Sequence, residues 1–319
     1  MTDTPTQPNR IVSSIRTVKL VPGMAKHGSI GEAMRSRRDL QASLVLIAAL
    51  SFSSLSAGVF SAQDQNRALN HHIDGNQLAN EVVQNELHAQ AEDQSLWRYR
   101  EAREEGSKRE LLEVIETRDG EVRRLLSING HTLSHKERDI DDKRTKKVLS
   151  DSHEFQEKQK IRSEDADQER KLMMMLPTAF DYQYDGEDED FIRLKFIPKP
   201  DFHPRGRENE VFHHMEGTML VDLHRRRLAG LDGRLTEEVK FMGGLLGHLD
   251  RGGIFSVRQR DVGSGHWKMT MLHVQMNGKA LLFKTIALHE KEEFTNFQPL
   301  PDNMTLEKAA ELLEKDRAS

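Results

Sequence analysis

Histidines with nearby carboxylates are the first residues to examine for chemistry, because together they bind metals and transfer protons. His213 and His214 are adjacent. In a regular strand, adjacent side chains point to opposite faces, so these two could not bind one ion. His214 and Glu216 could share a face, but two ligands are too few for a zinc site. The sequence therefore predicts no metal site.

Two other segments have the composition of catalytic loops but lack a required partner. Asp201-Phe202-His203 lies between Pro200 and Pro204, in a rigid loop without a candidate nucleophile such as the serine of a nucleophile elbow. Residues 243–247 are rich in glycine but lack the Gly-Lys-Ser/Thr of a phosphate-binding loop, and we interpret them as an apolar bend between strands. We predict no catalytic residue, no cofactor and no enzymatic activity.

The N-terminal part of the chain contains a targeting pattern. Residues 35–38 include three arginines, an apolar run follows at 44–50, and small residues extend to Gly58. This order is typical of a secretory signal peptide. We predict a signal peptide at 34–62, preceded by a disordered or misassigned extension at 1–33, and a periplasmic or otherwise exported protein. The alternative is an uncleaved membrane anchor of the same orientation.

Composition limits the partners of the exported part. The chain has 319 residues and no cysteine, which excludes disulfides and a bacterial lipoprotein anchor. The first 62 residues hold seven of the 47 Lys/Arg and three of the 52 Asp/Glu, so residues 63–319 have a formal charge of −9. This charge opposes nonspecific binding to nucleic acid and to anionic lipid. We predict a single domain over 63–319, long enough to bury a substantial core.

Hydrophobic periodicity predicts an α+β domain. Residues 76–92 have apolar side chains at helical spacing. A three-stranded meander is predicted at 94–105, 108–118 and 121–128, with turns at Glu105-Gly106 and Asp119-Gly120. Residues 131–176 are densely charged and contain neither proline nor glycine, which predicts one helix or two helices broken near 151–152.

The remaining residues, 178–300, have the pattern of successive antiparallel strands. Ile192, Leu194 and Phe196 alternate with charged neighbours. Asp232-Gly233 and Asn277-Gly278 are typical turn sequences, and the second is predicted to form the tightest hairpin. Two prolines, at 299 and 301, end the sheet, and 304–315 forms a closing helix.

Two predicted strand pairs resemble those of the LolA/LolB-like lipoprotein-carrier superfamily. The first is Gly217–Asp222 followed by Arg227–Gly233, and the second is Trp267–Met271 followed by Gly278–Lys284. The resemblance extends over residues 76–315. It implies an antiparallel half-open β-barrel whose N-terminal helix and helical insertion cover an apolar concave face. It also implies that this face holds acyl chains.

The resemblance and the apolar pattern together give a candidate ligand site. Residues 172–176 are interpreted either as a helix end docked in the core or as an adaptable methionine-rich contact with an apolar ligand. Trp97 is likewise a core anchor or a side chain that stacks on a ligand. The residues expected to line the cavity are Trp97, Met173, Met175, Phe241, Leu245, Trp267, Met269, Met271 and Phe283. Lys268 is expected on the opposite face of its strand.

These expectations lead to two functions. The first is an exported, non-enzymatic protein that binds a lipid or acyl chain in an apolar cavity, as a lipid or lipoprotein carrier or as an envelope sensor. The alternative is an envelope structural or interaction protein that docks a partner through its charged helical segment. Either protein would bind no nucleic acid, and its membrane contact would be transient or made through the uncleaved anchor.

Overall fold

The computed structural model of the chain describes residues 73–150, 152–203, 207–244, 246–280 and 284–318. The predicted extension at 1–33 and signal peptide at 34–62 lie outside the described residues. The described α-helices are α1 (Gly75–Glu92), α2 (His135–Ser150), α3 (Ser152–Ala179) and α4 (Leu306–Ala318). Two 3-10 segments cover Arg207–His214 and Met242–Gly244. Within these ranges no helix combines the length and the apolar character needed to cross a membrane.

Among the described residues, the strands form one antiparallel sheet that does not close on itself. They are β1 (Leu96–Glu105), β2 (Lys108–Thr117), β3 (Gly120–Ile128), β4 (His131–Thr132), β5 (Phe180–Asp188), β6 (Phe191–Pro198), β7 (Met215–Asp222), β8 (Leu228–Leu235), β9 (Val239–Phe241), β10 (Gly247–Leu249), β11 (Ile254–Asp261), β12 (Trp267–Ala280) and β13 (Lys284–Leu300). Their order is β4-β3-β2-β1-β13-β12-β11-β8-β7-β6-β5, and β10 joins β9 to β12. The predicted α+β class and antiparallel sheet are confirmed.

One face of the sheet carries most of the core. Ile192, Leu194 and Phe196 of β6 point to the same side, because alternate residues of a strand share a face, and all three are buried. We call this side the inner face. Its core joins α1 and the end of α3 to strands from β5 to β13. Each large apolar side chain buried there contributes about 1.5–3 kcal/mol.

Helix α1 forms where the periodicity predicts it. Asp74 caps its N-terminus by accepting from two backbone N–H groups, at 3.0 and 3.1 Å. Near the other end, the carboxylate of Glu86 is 1% exposed. It accepts from Arg227 Nε at 2.7 Å, Arg227 Nη2 at 3.0 Å and the Leu228 N–H at 2.8 Å. These bonds fix α1 on the inner face, since a buried carboxylate is tolerated only where donors surround it. The buried apolar residues of the helix are Leu78, Ala79, Val82, Val83 and Ala89.

Helix α4 packs on the other face of β1. Leu96, next to Trp97 in the strand, lies with Ile115 and Val122 against the buried residues of α4. Because neighbouring strand residues point to opposite faces, Trp97 lies on the inner side. It belongs to a separate aromatic cluster with Tyr99.

Side chains form hydrogen bonds with backbone groups on the part of β3 that β4 does not cover and on the edge strand β5. On β3, the Leu125 N–H donates to Asp141 Oδ2 of α2 at 3.1 Å, and Arg144 Nη2 donates to the Arg123 carbonyl at 3.3 Å. On β5, the Tyr182 N–H donates to Asn76 Oδ1 of α1 at 2.9 Å. Occupied edge groups cannot pair with another chain, so these contacts limit edge-to-edge association.

The early turns follow the prediction, but two later ones do not. The strands reverse after Glu105 and Thr117, as the Gly106 and Gly120 signals indicate. By contrast, Gly278 lies within β12 and Gly233 lies within β8, so the predicted hairpin turns there are wrong.

Close packing explains both of these glycines. A Cβ on Gly278 would lie 2.1 Å from the His248 carbonyl oxygen of β10, and a Cβ on Gly233 would lie 2.0 Å from the Phe255 ring. Both positions require glycine because a side chain would not fit there, not because the backbone turns.

Candidate functional site

An apolar cavity lies between the end of α3 and the inner face of the sheet. It has a volume of about 20 Å³, which is room for about one water molecule. Ten apolar or aromatic side chains line it: Leu172, Met173, Leu176, Phe180, Tyr182, Phe196, Phe212, Met215, Leu231 and Phe255. They come from α3, from the 3-10 segment Arg207–His214 and from strands β5, β6, β7, β8 and β11. The cavity therefore lies where the helical insertion returns to the sheet.

The end of α3 forms one wall of the cavity, although the helix is weakened there. Pro177 lies inside the helix and has no N–H, so it cannot donate to the Met173 carbonyl one turn earlier. Met173 is 2% exposed, whereas the next residue, Met174, is 46% exposed. The two adjacent methionines thus face the cavity and the solvent respectively.

Polar contacts from the sheet side bind the last carbonyls of α3. The hydroxyl of Tyr182 donates to the Leu176 carbonyl at 3.3 Å, and Lys199 Nζ donates to the Pro177 carbonyl at 3.1 Å. Thr178 Oγ1 donates to the Met175 carbonyl at 2.8 Å within the helix. Carbonyls at a helix C-terminus have no intrahelical donor, so these bonds satisfy groups that would otherwise be unpaired.

Aromatic rings form the wall on the sheet side. The ring of Phe180 lies 4.8 Å from that of Phe196 and 5.6 Å from that of Phe212, measured between centroids. Burial raises the pKa of Tyr182 well above its usual value, so its phenol stays neutral. Because all ten lining side chains are uncharged, the cavity is suited to a noncovalent apolar occupant.

The structure distributes the nine predicted ligand residues over several regions. Met173 lines the cavity. Met175, Phe241 and Met269 are half-buried and pack against the same core. Three others lie elsewhere: Trp97 in the aromatic cluster, Trp267 under the Arg227 guanidinium at 5.6 Å, and Met271 half-buried in β12. Leu245 and Phe283 lie outside the described residues.

Most of the cavity wall was not in the predicted set. Phe196 could have been predicted from the sequence, since the alternation from Ile192 to Phe196 defines one buried face of the strand. Phe212 could not have been predicted in this way, because it lies in a 3-10 segment without strand periodicity. Leu231 and Phe255 lie on β8 and β11, which are hydrogen-bonded neighbours although a β9–β10 excursion separates them in sequence.

Lys268, expected on the face of β12 opposite Met269, is buried. It is 7% exposed, and its Nζ lies 3.2 Å from Asp93 Oδ2. The pairing of β11 with β12 shifts register between Arg258 and Gln259, which is a β-bulge or similar irregularity. Such a shift breaks the simple alternation of faces, so the inward positions could not be counted along the strand.

A network of charged side chains occupies the inner face beside the aromatic cluster. Arg103 lies between two carboxylates, with Nη2 at 2.6 Å from Glu101 and Nε at 2.7 Å from Glu292. Arg123 Nη1 lies 3.1 Å from the second oxygen of Glu101. Burial and the neighbouring Glu292 raise the pKa of Glu290 to about 7, although Arg103 acts to lower it. This part of the face is ionic, in contrast to the apolar cavity.

The charged network does not have the composition of a metal centre. In the part of the chain that the structure describes, no group of three or more His, Asp or Glu side chains is placed to hold an ion. Glu101 and Glu292 are instead ion-paired with guanidinium groups, and the buried Oε2 of Glu101 lies 3.1 Å from Arg123 Nη1 without a hydrogen bond.

Comparisons with protein-family models, with curated proteins and with solved structures found no match. The assignment of function therefore depends on the residues and the geometry described above.

Proposed function

We propose that this protein is an exported, non-enzymatic carrier or sensor that binds the acyl chain of a lipid between the end of α3 and the inner face of the sheet. The observation that carries the proposal is the cavity lined by ten uncharged side chains, most of them aliphatic or phenylalanine. An enclosed apolar site with few polar groups selects ligands by shape and apolar area. In this proposal the unclosed sheet is a half-open barrel, and α1 and α3 cover its concave side.

The cavity must enlarge before an acyl chain can enter, because about 20 Å³ accommodates one water molecule. The movable wall is the end of α3, which contributes Leu172, Met173 and Leu176. Displacing it exposes three large apolar side chains, at a cost of about 5–9 kcal/mol. Methionine adapts readily to irregular shapes, and Pro177 interrupts the helical hydrogen bonds at this point.

The ligand must offset this cost by its own burial. Each buried methylene contributes about 0.8 kcal/mol, so roughly six to eleven methylenes balance the exposure of the α3 residues. Long acyl chains should therefore bind, whereas short acids such as butyrate should not. Affinity that rises with chain length is the expected signature of the site.

Adjacent methionines provide a matched test. A fluorescent long-chain fatty-acid probe is titrated into the unaltered full-length protein, Met173→Asp and Met174→Asp, and thermal melts check folding. Met173→Asp should weaken binding by tenfold or more, because a carboxylate in the apolar cavity costs several kcal/mol unless water enters. Met174→Asp should bind normally. Failure of the folded, unaltered protein to bind the probe at micromolar concentration would refute the proposal.

A second function is supported by the surface of α2. Ile140 and Leu149 are exposed on this otherwise charged helix. The two residues are nine positions apart, which places them on opposite sides of the helix, so each would make a separate small contact in an interaction protein that docks through its helical segment. Replacing both with serine should leave probe binding unchanged but remove partner capture from a native envelope extract. If instead the double variant lost probe binding and kept the partner, the docking hypothesis would be wrong.

A further inference from the structure

Lys199 is a cation placed next to the apolar cavity. It directly follows β6, whose Phe196 lines the cavity, and its backbone N–H donates to the Ala179 carbonyl at 2.9 Å. Its Nζ donates to the Pro177 carbonyl at 3.1 Å, one residue beyond the cavity-lining Leu176. The side chain is 26% exposed, so the ammonium group lies at the boundary between the core and the solvent.

The carbonyl that Lys199 binds in this structure belongs to the end of α3, the wall that must move when a chain enters. Carbonyls at the C-terminus of a helix carry partial negative charge, and a lysine there is favourably placed. When the end of α3 moves aside for a chain, as the proposed function requires, the Pro177 carbonyl moves away from the ammonium group. Asp181 is an anion nearby: its Oδ1 lies 3.8 Å from Nζ, and its side chain is half exposed to solvent. A ligand anion could then replace the helix carbonyl as the acceptor.

We propose that the ligand is a single-chain amphiphile with an anionic headgroup, and that Lys199 binds this headgroup while the chain fills the site under α3. The inference rests on the proposed function and specifies its ligand class. The shared chemistry is a carboxylate or phosphate on a long alkyl chain, since both accept charge-assisted hydrogen bonds from an ammonium group.

Ligands of equal chain length and different headgroups test the inference. Myristate, tetradecyl phosphate, tetradecanol and tetradecylamine compete for a neutral apolar probe on the unaltered full-length protein, below their micellar concentrations. The two anions should bind at least tenfold more tightly than the alcohol, as a charge-assisted hydrogen bond allows, and the amine should bind most weakly. A preference of one anion over the other identifies the headgroup.

Lys199→Gln removes the charge but keeps a hydrogen-bond donor for the Pro177 carbonyl. It should reduce the affinity for the anions to that for the alcohol and leave the alcohol unchanged, and Lys199→Arg should restore anion binding. The matched control is Lys195→Gln, because Lys195 lies on β6 four residues before Lys199, is exposed, and is paired with Asp185 at 2.7 Å. This control should bind all four ligands as the unaltered protein does.

Three outcomes would overturn the inference. Equal affinity for myristate and tetradecanol in the unaltered protein would exclude a headgroup site while leaving the acyl-chain proposal intact. If a folded Lys199→Gln variant lost affinity for myristate and for tetradecanol equally, Lys199 would only help to form the cavity wall and would not bind a headgroup. Failure of every ligand and of the neutral probe would refute the proposed function and this inference with it.

Discussion

Glu116 offers a test of the ionic part of the inner face. Its Oε2 accepts from the Trp97 N–H at 2.9 Å, and it lies directly opposite Glu121 in the β2–β3 pair. Burial raises its pKa to about 7; Lys268 acts to lower it, whereas Glu121 and Asp93 act to raise it further. The perturbation is Glu116→Gln, which removes the ionisable group and keeps an oxygen that can accept from Trp97.

The direction in which stability changes with pH follows from the pKa of Glu116 in the folded and unfolded states. The carboxyl of Glu116 has a pKa of about 7 in the folded protein against 4.5 in the unfolded chain, so the folded state binds the proton more tightly. Its contribution to stability is complete below pH 4.5 and is lost as the pH rises to 7. At about 1.4 kcal/mol per pKa unit, the loss at pH 8 is about 3 kcal/mol. The glutamine variant avoids this loss.

The assay is thermal unfolding at pH 5 and pH 8. Glu116→Gln should resemble the unaltered protein at pH 5 and melt several degrees higher at pH 8, given about 2–4 °C per kcal/mol for a domain of this size. Glu290, whose pKa is also raised to about 7, should leave part of the pH dependence in place. The control is Glu164→Gln, on the exposed part of α3. An identical pH response in the unaltered protein and Glu116→Gln would refute the reasoning.

Two further substitutions test the packing of the inner face, each measured by urea denaturation. Glu86→Leu should cost about 3–5 kcal/mol, because it leaves the Arg227 guanidinium partly buried without its bidentate partner. The exposed Arg234→Ala should cost less than about 1 kcal/mol, and equal losses would contradict this account. Gly233→Ala should cost about 1–3 kcal/mol of stability through its clash with the Phe255 ring. In a Phe255→Leu background the same alanine should cost less. An unchanged cost in the double variant would count against the clash.

Local signals in the sequence predicted the local structure well. The helix predicted at 76–92 is found at Gly75–Glu92, because Asp74 caps it and its apolar residues recur at helical spacing. The charged insertion contains two helices, one ending at Ser150 and the next beginning at Ser152, as one of the two alternatives predicted. Each of these features depends on residues within a few positions of one another.

Features that depend on distant contacts were not predictable in the same way. Asn277-Gly278 has the sequence of a tight turn, yet Gly278 is required because the His248 carbonyl of β10 approaches its Cα. A glycine serves a positive φ or a close approach, and the sequence alone does not distinguish the two. For the same reason the cavity wall was largely missed, since neighbouring strands of a sheet need not be neighbours in sequence.

The division of the inner face into an apolar and an ionic part bears on how a chain could lie in the proposed site. Leu272 of β12 is directly opposite Glu292 of β13, so the core and the charged network meet at this strand pair. A chain extending past it would have to separate Arg103 from Glu292 and Glu101, which costs several kcal/mol, whereas the apolar part offers only aliphatic and aromatic contacts. We therefore expect the chain to run from Lys199 along the wall formed by β5 to β11 and to end before β13. A nitroxide on the terminal carbon of a bound fatty acid should broaden amide signals of β8 and β11, and broadening centred on β1 would contradict this orientation.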